Sequence, residues 1–346
     1  MNHENLTNIS ELGEFGLIDH LTRDIKLNQP STVMGVGDDA AVLKTGGKKY
    51  TLVSTDLLIE GVHFDMVYTP LKHLGYKSAI VNFSDMAAMN GVPKQIVVGL
   101  GISSKYTLEA LEEFYAGLKK ACELYKVDFV GGDTTSSVHG LFISVTVIGE
   151  VEKDKIAYRK GAKPGDLLCV SGDLGGAYMG LLLLEREKTV FQANPQAQPE
   201  LEGKDYILQR QLKPEARVDI VETLKKADVI PTSMIDISDG LASEALHLAK
   251  SSEVGVAIYE EKIPIDQLTF DTAREFKIVP SVAALNGGED YELLFTVDQK
   301  DYDKIKVIPE LRIIGYISDA AEGNRLVTPD NHIVELTAQG WDALKK

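Results

Sequence analysis

Three runs in the first half of the chain, KYTLVSTDLLI (49–59), QIVVGLGI (95–102) and LFISVTVIGEV (141–151), are rich in branched apolar residues with polar ones set between them, and they predict β-strands. Between them TLEALEEFYAGLKKACELYK (107–126) repeats its apolar positions every three or four residues, which predicts an amphipathic helix. Strand and helix runs alternate, so the class is α/β. The charged stretch EVEKDKIAYRKGAKPGD (150–166) ends in Pro and Gly and separates this set from a second one, which begins with the apolar strand DLLCVSG (166–172) and the helix GAYMGLLLLERE (176–187). A domain boundary is expected near residue 155. The polar run NPQAQPELEGKD (194–205) has the composition of a surface loop. No short-period repeat stands out.

Composition adds size and sign. With 346 residues, 44% of them hydrophobic, the chain can bury a large core and is long enough for two domains. Its 52 acidic residues against 36 basic ones leave a net charge of −16, which repels nucleic acid and anionic lipid where no basic run intervenes, and none does. Neither is an expected partner. The opening MNHENLTNISELGEFGLIDHL lacks the cationic start and apolar core of a secretion signal, and no apolar stretch reaches membrane-spanning length, so the expected location is the cytoplasm. Two cysteines, Cys122 and Cys169, are too few for a disulfide scaffold and read as reduced, buried small hydrophobes.

The chemistry lies in the aspartates. Asp38 and Asp39 sit in GVGDDAAVL; Asp56 closes STD, which reads as the end of a strand; Asp85 lies inside the otherwise small and apolar NFSDMAAM; Asp133 follows DFV in GGDT; Asp236 and Asp239 share DISDG. Any one of these alone is most often a turn in which the side chain bonds its own backbone. Together they imply clustered carboxylates, and burying those without partners is unfavourable. Their sequence neighbours are Gly, Ser, Thr and Ala, with no base in any of the motifs. Hard divalent cations answer better, because Mg2+ prefers carboxylate, hydroxyl, water and phosphate oxygens. The adjacent glycines would let phosphates approach backbone N–H groups closely. No Walker motif, HRD or DFG occurs, and SGDLGGAYMG (171–180) misses the dinucleotide-loop spacing, so it reads as a strand-to-helix turn with phosphate contact a minor alternative.

In order along the chain, GVGDDAAVL, VSTDLLIEGVHF, NFSDMAAMNGVP, VGGDTT, RKGAKPGD, DISDGLASE and GGEDYELLFT resemble the thiamine-monophosphate kinase family of the aminoimidazole ribonucleotide synthetase superfamily, over nearly the whole chain. The resemblance implies ATP-dependent phosphorylation of thiamine monophosphate to thiamine diphosphate, assisted by several Mg2+ ions. It implies a two-domain α/β fold of the α+β type. Residues 1–154 would bind ATP and Mg2+ and pair with a second copy into a barrel shared by a homodimer; residues 155–346 would close over the site.

By the same resemblance Asp38, Ser54, Thr55, Asp56, Asp85, Asp133 and Asp236 match Mg2+ ligands, and Asp239 a ligand to a more loosely held ion. Asp39 can cap the turn while Asp38 faces metal. Tyr115, Gly132, Asp133, Arg159 and Ser238 match ATP contacts; His63, Glu289 and Trp341 match positions on the thiamine side. The chain ends GWDALKK, without the His-Phe often found after that aromatic. No general base is expected, because the attacking phosphate oxygen, with a second pKa of about 6, is already largely deprotonated at neutral pH. The alternatives are another ATP-dependent enzyme of the superfamily, a non-catalytic ATP- and Mg2+-binding regulator, or a plain acidic metal-binding protein. The presence of His63 and Glu289 beside a full aspartate set favours the kinase.

Overall fold

The computed structural model describes residues 9–340. A first sheet is built from β1 (Thr32–Met34), β2 (Ala41–Leu43), β3 (Lys49–Ile59), β4 (Val92–Ile102), β5 (Asp128–Ser136) and β6 (Leu141–Glu152). Their spatial order is β1-β2-β3-β6-β4-β5, antiparallel throughout except for the parallel β4–β5 pair. Alternation decides which face is buried. Along β6 every second residue from Leu141 to Val151 is buried and those between are partly exposed.

Helices α1 (Gly13–Thr22), α2 (Leu71–Ala88) and α3 (Leu108–Tyr125) belong to this half. α2 and α3 cover the buried face and share a core with Leu52, Ile96, Val98, Ile143 and Val145. Each such side chain taken out of water contributes roughly 1.5–3 kcal/mol. The two helices touch through glycine: a Cβ on Gly75 would lie 1.9 Å from the Phe114 carbonyl and one on Gly117 1.8 Å from that of Lys72.

The second sheet contains β7 (Leu167–Ser171), β8 (Ser233–Asp236), β9 (Gly255–Tyr259), β10 (Leu293–Val297), β11 (Leu311–Ser318), β12 (Arg325–Val327) and β13 (Ile333–Glu335), in the order β13-β12-β9-β11-β7-β10-β8. Its helices are α4 (Gly176–Ala193), α5 (Asp205–Leu212), α6 (Val218–Lys226), α7 (Leu241–Ser252), α8 (Gln267–Glu275), α9 (Pro280–Asn286) and α10 (Tyr302–Ile305). The stretch 194–204 between α4 and α5 is free of helix and strand, as its composition predicts.

α2 joins the halves. It is buried nearly all round, because one side lies on the first sheet while the other meets β8, α5 and α6. From it Tyr76 donates to Glu215, Lys77 reaches Glu289 and Ser84 donates to Asp236. α1 lies against α7, with the Phe15 and His247 rings 4.2 Å apart and Lys250 3.3 Å from Asp19. Cys122 and Cys169 are buried and unpaired. No helix among the described residues is long and apolar enough to cross a membrane.

Candidate active site

Asp39 from the turn before β2, Asp85 near the end of α2 and Asp236 at the end of β8 bring carboxylate oxygens within 4.8 Å of one another. They come from both halves, with α2 between. Each is held by its own neighbour: Ser54 Oγ donates to Asp85 Oδ2 at 2.5 Å, Ser84 Oγ to Asp236 Oδ2 at 2.5 Å, and Arg159 Nη2 to Asp39 Oδ1 at 2.5 Å. Asp56 stands beside them on the inner face of β3, its backbone N–H donating to Asn82 Oδ1 at 3.2 Å. β3 spans the whole 49–59 run read as a strand, because all of it pairs with β6, so STD does not close the strand and Asp56 is in mid-strand.

Burial governs the electrostatics. Removal from water, reinforced by the Asp39 charge, pushes Asp38 up to about 7, Asp56 to about 6 and Asp236 to about 7. Asp85 is raised well above the ordinary carboxylate value, first by burial and then by Asp56 and Asp236. Arg159 is the one cation bonded to Asp39 among the described residues, and it leaves Asp39 Oδ2 buried without a hydrogen-bond partner. An orphaned carboxylate oxygen in an oxygen-only cluster of excess negative charge fits a hard divalent cation.

The two aspartates of the opening motif have separate tasks. Asp38 accepts from the backbone N–H groups of Asp39 (3.1 Å) and Arg159 (3.2 Å), so it ties down the turn. Asp39, read from sequence as a turn cap, is the residue in the triad. Strand alternation separates others. Ser54 and Asp56 face inward, whereas Thr55 faces outward, donating to the Val145 carbonyl and accepting from Thr146 Oγ1. Asp133 is likewise on the outer face, beside Leu57, Gly99, Phe142 and Ser144 around a shallow hollow of about 400 Å³. The structure therefore does not bring Thr55 and Asp133 to the triad within one copy of the chain.

Of the nucleotide candidates, Arg159 is at the triad. Ser238 lies next to it in the chain segment after Asp236, where Ser238 Oγ and the Asp239 N–H both donate to buried Glu244. Tyr115 packs edge-on against Phe114 and Phe129, and Gly132 lies so close to β4 that a Cβ would fall 1.9 Å from the Val98 carbonyl.

His63 Nδ1 accepts from the Ile59 N–H at 3.0 Å, which leaves Nε2 as the protonated nitrogen. Burial lowers its pKa against the opposing pull of Glu289 and Glu14, so it is neutral. Glu289 pairs with buried Lys77 at 2.8 Å and accepts from Gln211 at 2.7 Å. Lys77, Gln211, Ser84, Asn82 and Glu244 were not singled out from sequence. Trp341 lies outside the described residues. The SGDLGG turn is not free for phosphate, because the Gly175 and Ala177 N–H groups at the start of α4 already donate to Asp290.

Residues 37–151 match the family model for the AIR synthase related protein, N-terminal domain. The chain is 34% identical over 345 residues to the thiamine-monophosphate kinase of Bacillus subtilis, covering 96% of this chain and 100% of that one. The chain belongs to the thiamine-monophosphate kinase family. The family member from Aquifex aeolicus is 39% identical over 288 residues, 83% of this chain and 87% of that one. Among solved structures of this family, AaThiL complexed with AMPPCP and TMP superimposes with a TM-score of 0.82 at 33% identity, covering 98% of this chain and 99% of that one.

Proposed function

We propose that this protein transfers the γ-phosphoryl group of ATP directly to the phosphate of thiamine monophosphate, giving thiamine diphosphate and ADP without a phospho-enzyme. The observation that carries the reading is the Asp39–Asp85–Asp236 triad with its orphaned oxygen, set in a chain of the thiamine-monophosphate kinase family. A relative in complex with AMPPCP and TMP supports a nucleotide donor and a second ligand bound together.

Asp39, Asp85 and Asp236, with Asp56 beside them, would hold Mg2+, with Asp38, Ser54 and Asp239 around them. Bound there, the ions would neutralise phosphate charge and the charge developing in transfer. The chain's own residues position. Arg159 holds Asp39, Ser84 holds Asp236, and Ser54 holds Asp85, so the carboxylates converge before ligand arrives. No side chain need take a proton, since the acceptor oxygen is ionised above about pH 6. His63, neutral and with Nε2–H free of its backbone bond, donates to substrate rather than accepting a proton. Glu289, held by Lys77, would lie on the cationic thiazolium side of the substrate.

Residues 1–154 would form the ATP- and Mg2+-binding, dimer-forming domain and residues 155–346 the domain that closes over it. Two copies would pair through the outer face of the first sheet, where Leu57 is 52% exposed. The assignments of Thr55, Asp133, Tyr115 and Gly132 then depend on that second copy. Incubation with thiamine monophosphate, ATP and Mg2+, followed by separation of thiamine phosphates, tests the reading. Accumulation of thiamine diphosphate supports it; its absence with intact, folded protein rejects it.

A further inference from the structure

The segment ahead of β10 holds two non-glycine residues in the left-handed backbone region, Glu289 at φ +66° and Tyr291 at φ +51°. L residues rarely stay there unless their surroundings fix them, and such sites cluster where function needs a side chain aimed. The Glu289 N–H donates to the Ser238 carbonyl at 2.7 Å and the Tyr291 N–H to that of Ile237 at 2.9 Å, so the segment is stitched to the loop that follows Asp236.

Its side chains divide. Glu289 is held by Lys77 and Gln211. Asp290 and Glu292 are held instead by Arg210, which is next to Gln211 in the last turn of α5. Arg210 Nη1 donates to Glu292 Oε1 at 2.7 Å, and Nη2 reaches the Asp290 carbonyl at 3.2 Å, Asp290 Oδ1 at 3.3 Å and the Asp173 carbonyl at 2.9 Å. The bond to the Asp290 carbonyl matters most, because rotation of that peptide unit would change φ of Tyr291. Arg217 also donates to Glu292. One helical turn thus grips both sides of the segment.

We propose that Arg210 is a positioning residue for the acceptor end of the site: its planar fork locks the Asp290 peptide and Glu292, and so keeps the neighbouring Glu289 carboxylate aimed at the substrate. The inference rests on the reading that Glu289 recognises thiamine monophosphate. A lysine retains the charge and loses the fork, so it separates aim from charge balance.

The experiment measures steady-state kinetics of Arg210→Lys, Glu289→Gln and the double variant, varying thiamine monophosphate and ATP in turn. Arg210→Lys alone should raise KM for thiamine monophosphate roughly 10- to 100-fold, by analogy with residues that orient a metal ligand. Maximal turnover and the KM for ATP should stay within about twofold of the parent, and in the Glu289→Gln background the lysine should add little, because it acts through Glu289. If Arg210→Lys fails to fold, Arg210→Met/Asp290→Asn, which removes one charge of each sign and leaves the Arg217–Glu292 pair standing, carries the same expectation. An unchanged KM, or an equal rise with and without Glu289, overturns the proposal while leaving the kinase reading intact. Absence of thiamine diphosphate formation by the unaltered chain overturns that reading and the proposal with it.

Discussion

Arg159 and Asp39 lie 120 positions apart in sequence and 2.5 Å apart in space. The arginine lies within the charged stretch between the two sheets, and its backbone N–H also binds Asp38, so one residue fixes both aspartates of the turn. Asp39's side chain is 2% exposed, so without Arg159 its charge would be buried beside Asp85 and Asp236 with no cation.

Arg159→Met should therefore destabilise the metal-free protein by about 3 kcal/mol, the scale for breaking one side of a buried ion pair. Mg2+ should restore part of the loss. Thermal melts of both proteins with and without Mg2+ read this directly, and a variant that melts like the parent in chelator would show that the pair does not support the fold.

The carboxylates give a pH signature. Asp38, Asp56 and Asp236 have folded values of about 7, about 6 and about 7 against 3.8 for a free aspartate, so the stability they contribute is present below pH 3.8 and lost as pH rises through 6 to 7. His247 works the other way. Burial lowers it from 6.5 to about 4, so its contribution is lost as pH falls below 6.5. The difference in melting temperature with and without Mg2+ cancels His247, and it should grow from about pH 5.5 to about pH 7.5, because ligation needs ionised carboxylates. A Mg2+ effect independent of pH would count against the triad as its site.

Asp85→Asn keeps size and the acceptor for Ser54 while removing the charge that Asp56 and Asp236 oppose. Turnover should drop by more than about 100-fold at limiting Mg2+. In chelator the variant should melt a few degrees above the parent, since repulsion among the carboxylates is relieved. Activity near normal with no gain in melting temperature would remove Asp85 from the metal set.

His63→Gln should raise the KM for thiamine monophosphate by about tenfold, the size of one lost hydrogen bond of ~1.4 kcal/mol, with maximal turnover little changed. At saturating Mg2+, where the carboxylates are held ionised, the acid limb of the pH profile should stay near about 6, because it then belongs to the substrate phosphate. A collapse of turnover at saturating substrate would instead make His63 a participant in the chemistry.

How much of this was legible depends on the range of the interaction. Alternation along Leu141–Glu152 and the periodicity of Leu108–Tyr125 are local, and the strand and helix follow from them. The aspartate motifs stood out because carboxylates are unusual in small, apolar surroundings. The ligand geometry was harder. That Ser54 and Asp56 share a face and Thr55 does not follows from a period of two, and sequence carried that signal. Which of Asp38 and Asp39 enters the triad depends on the course of the bend over residues 36–40, and sequence carried no signal for it. Pairings such as Lys77 with Glu289 and Ser84 with Asp236 exist only because α2 lies between the halves. Arg210 and Gln211 sit on a short polar helix whose pattern resembles any solvated surface helix.

The outer face of the first sheet supplies the last prediction. Leu57 is 52% exposed there, next to the hollow lined by Gly99, Asp133, Phe142 and Ser144, and Thr55 lies on the same face. If two copies cover this face, a stable interface should bury at least about 1,200 Å² and the protein should sediment as a dimer at micromolar concentration. Leu57→Lys places a charge in the middle of that contact while disturbing nothing buried in one copy. The variant should sediment as a monomer, keep its metal-free secondary structure and lose most activity, because Asp133 and Thr55 cannot reach the triad of their own chain. Sedimentation of the parent as a monomer would reject the dimer. A monomeric variant with full activity would show that the triad works without the outer face, and Thr55 and Asp133 would leave the site.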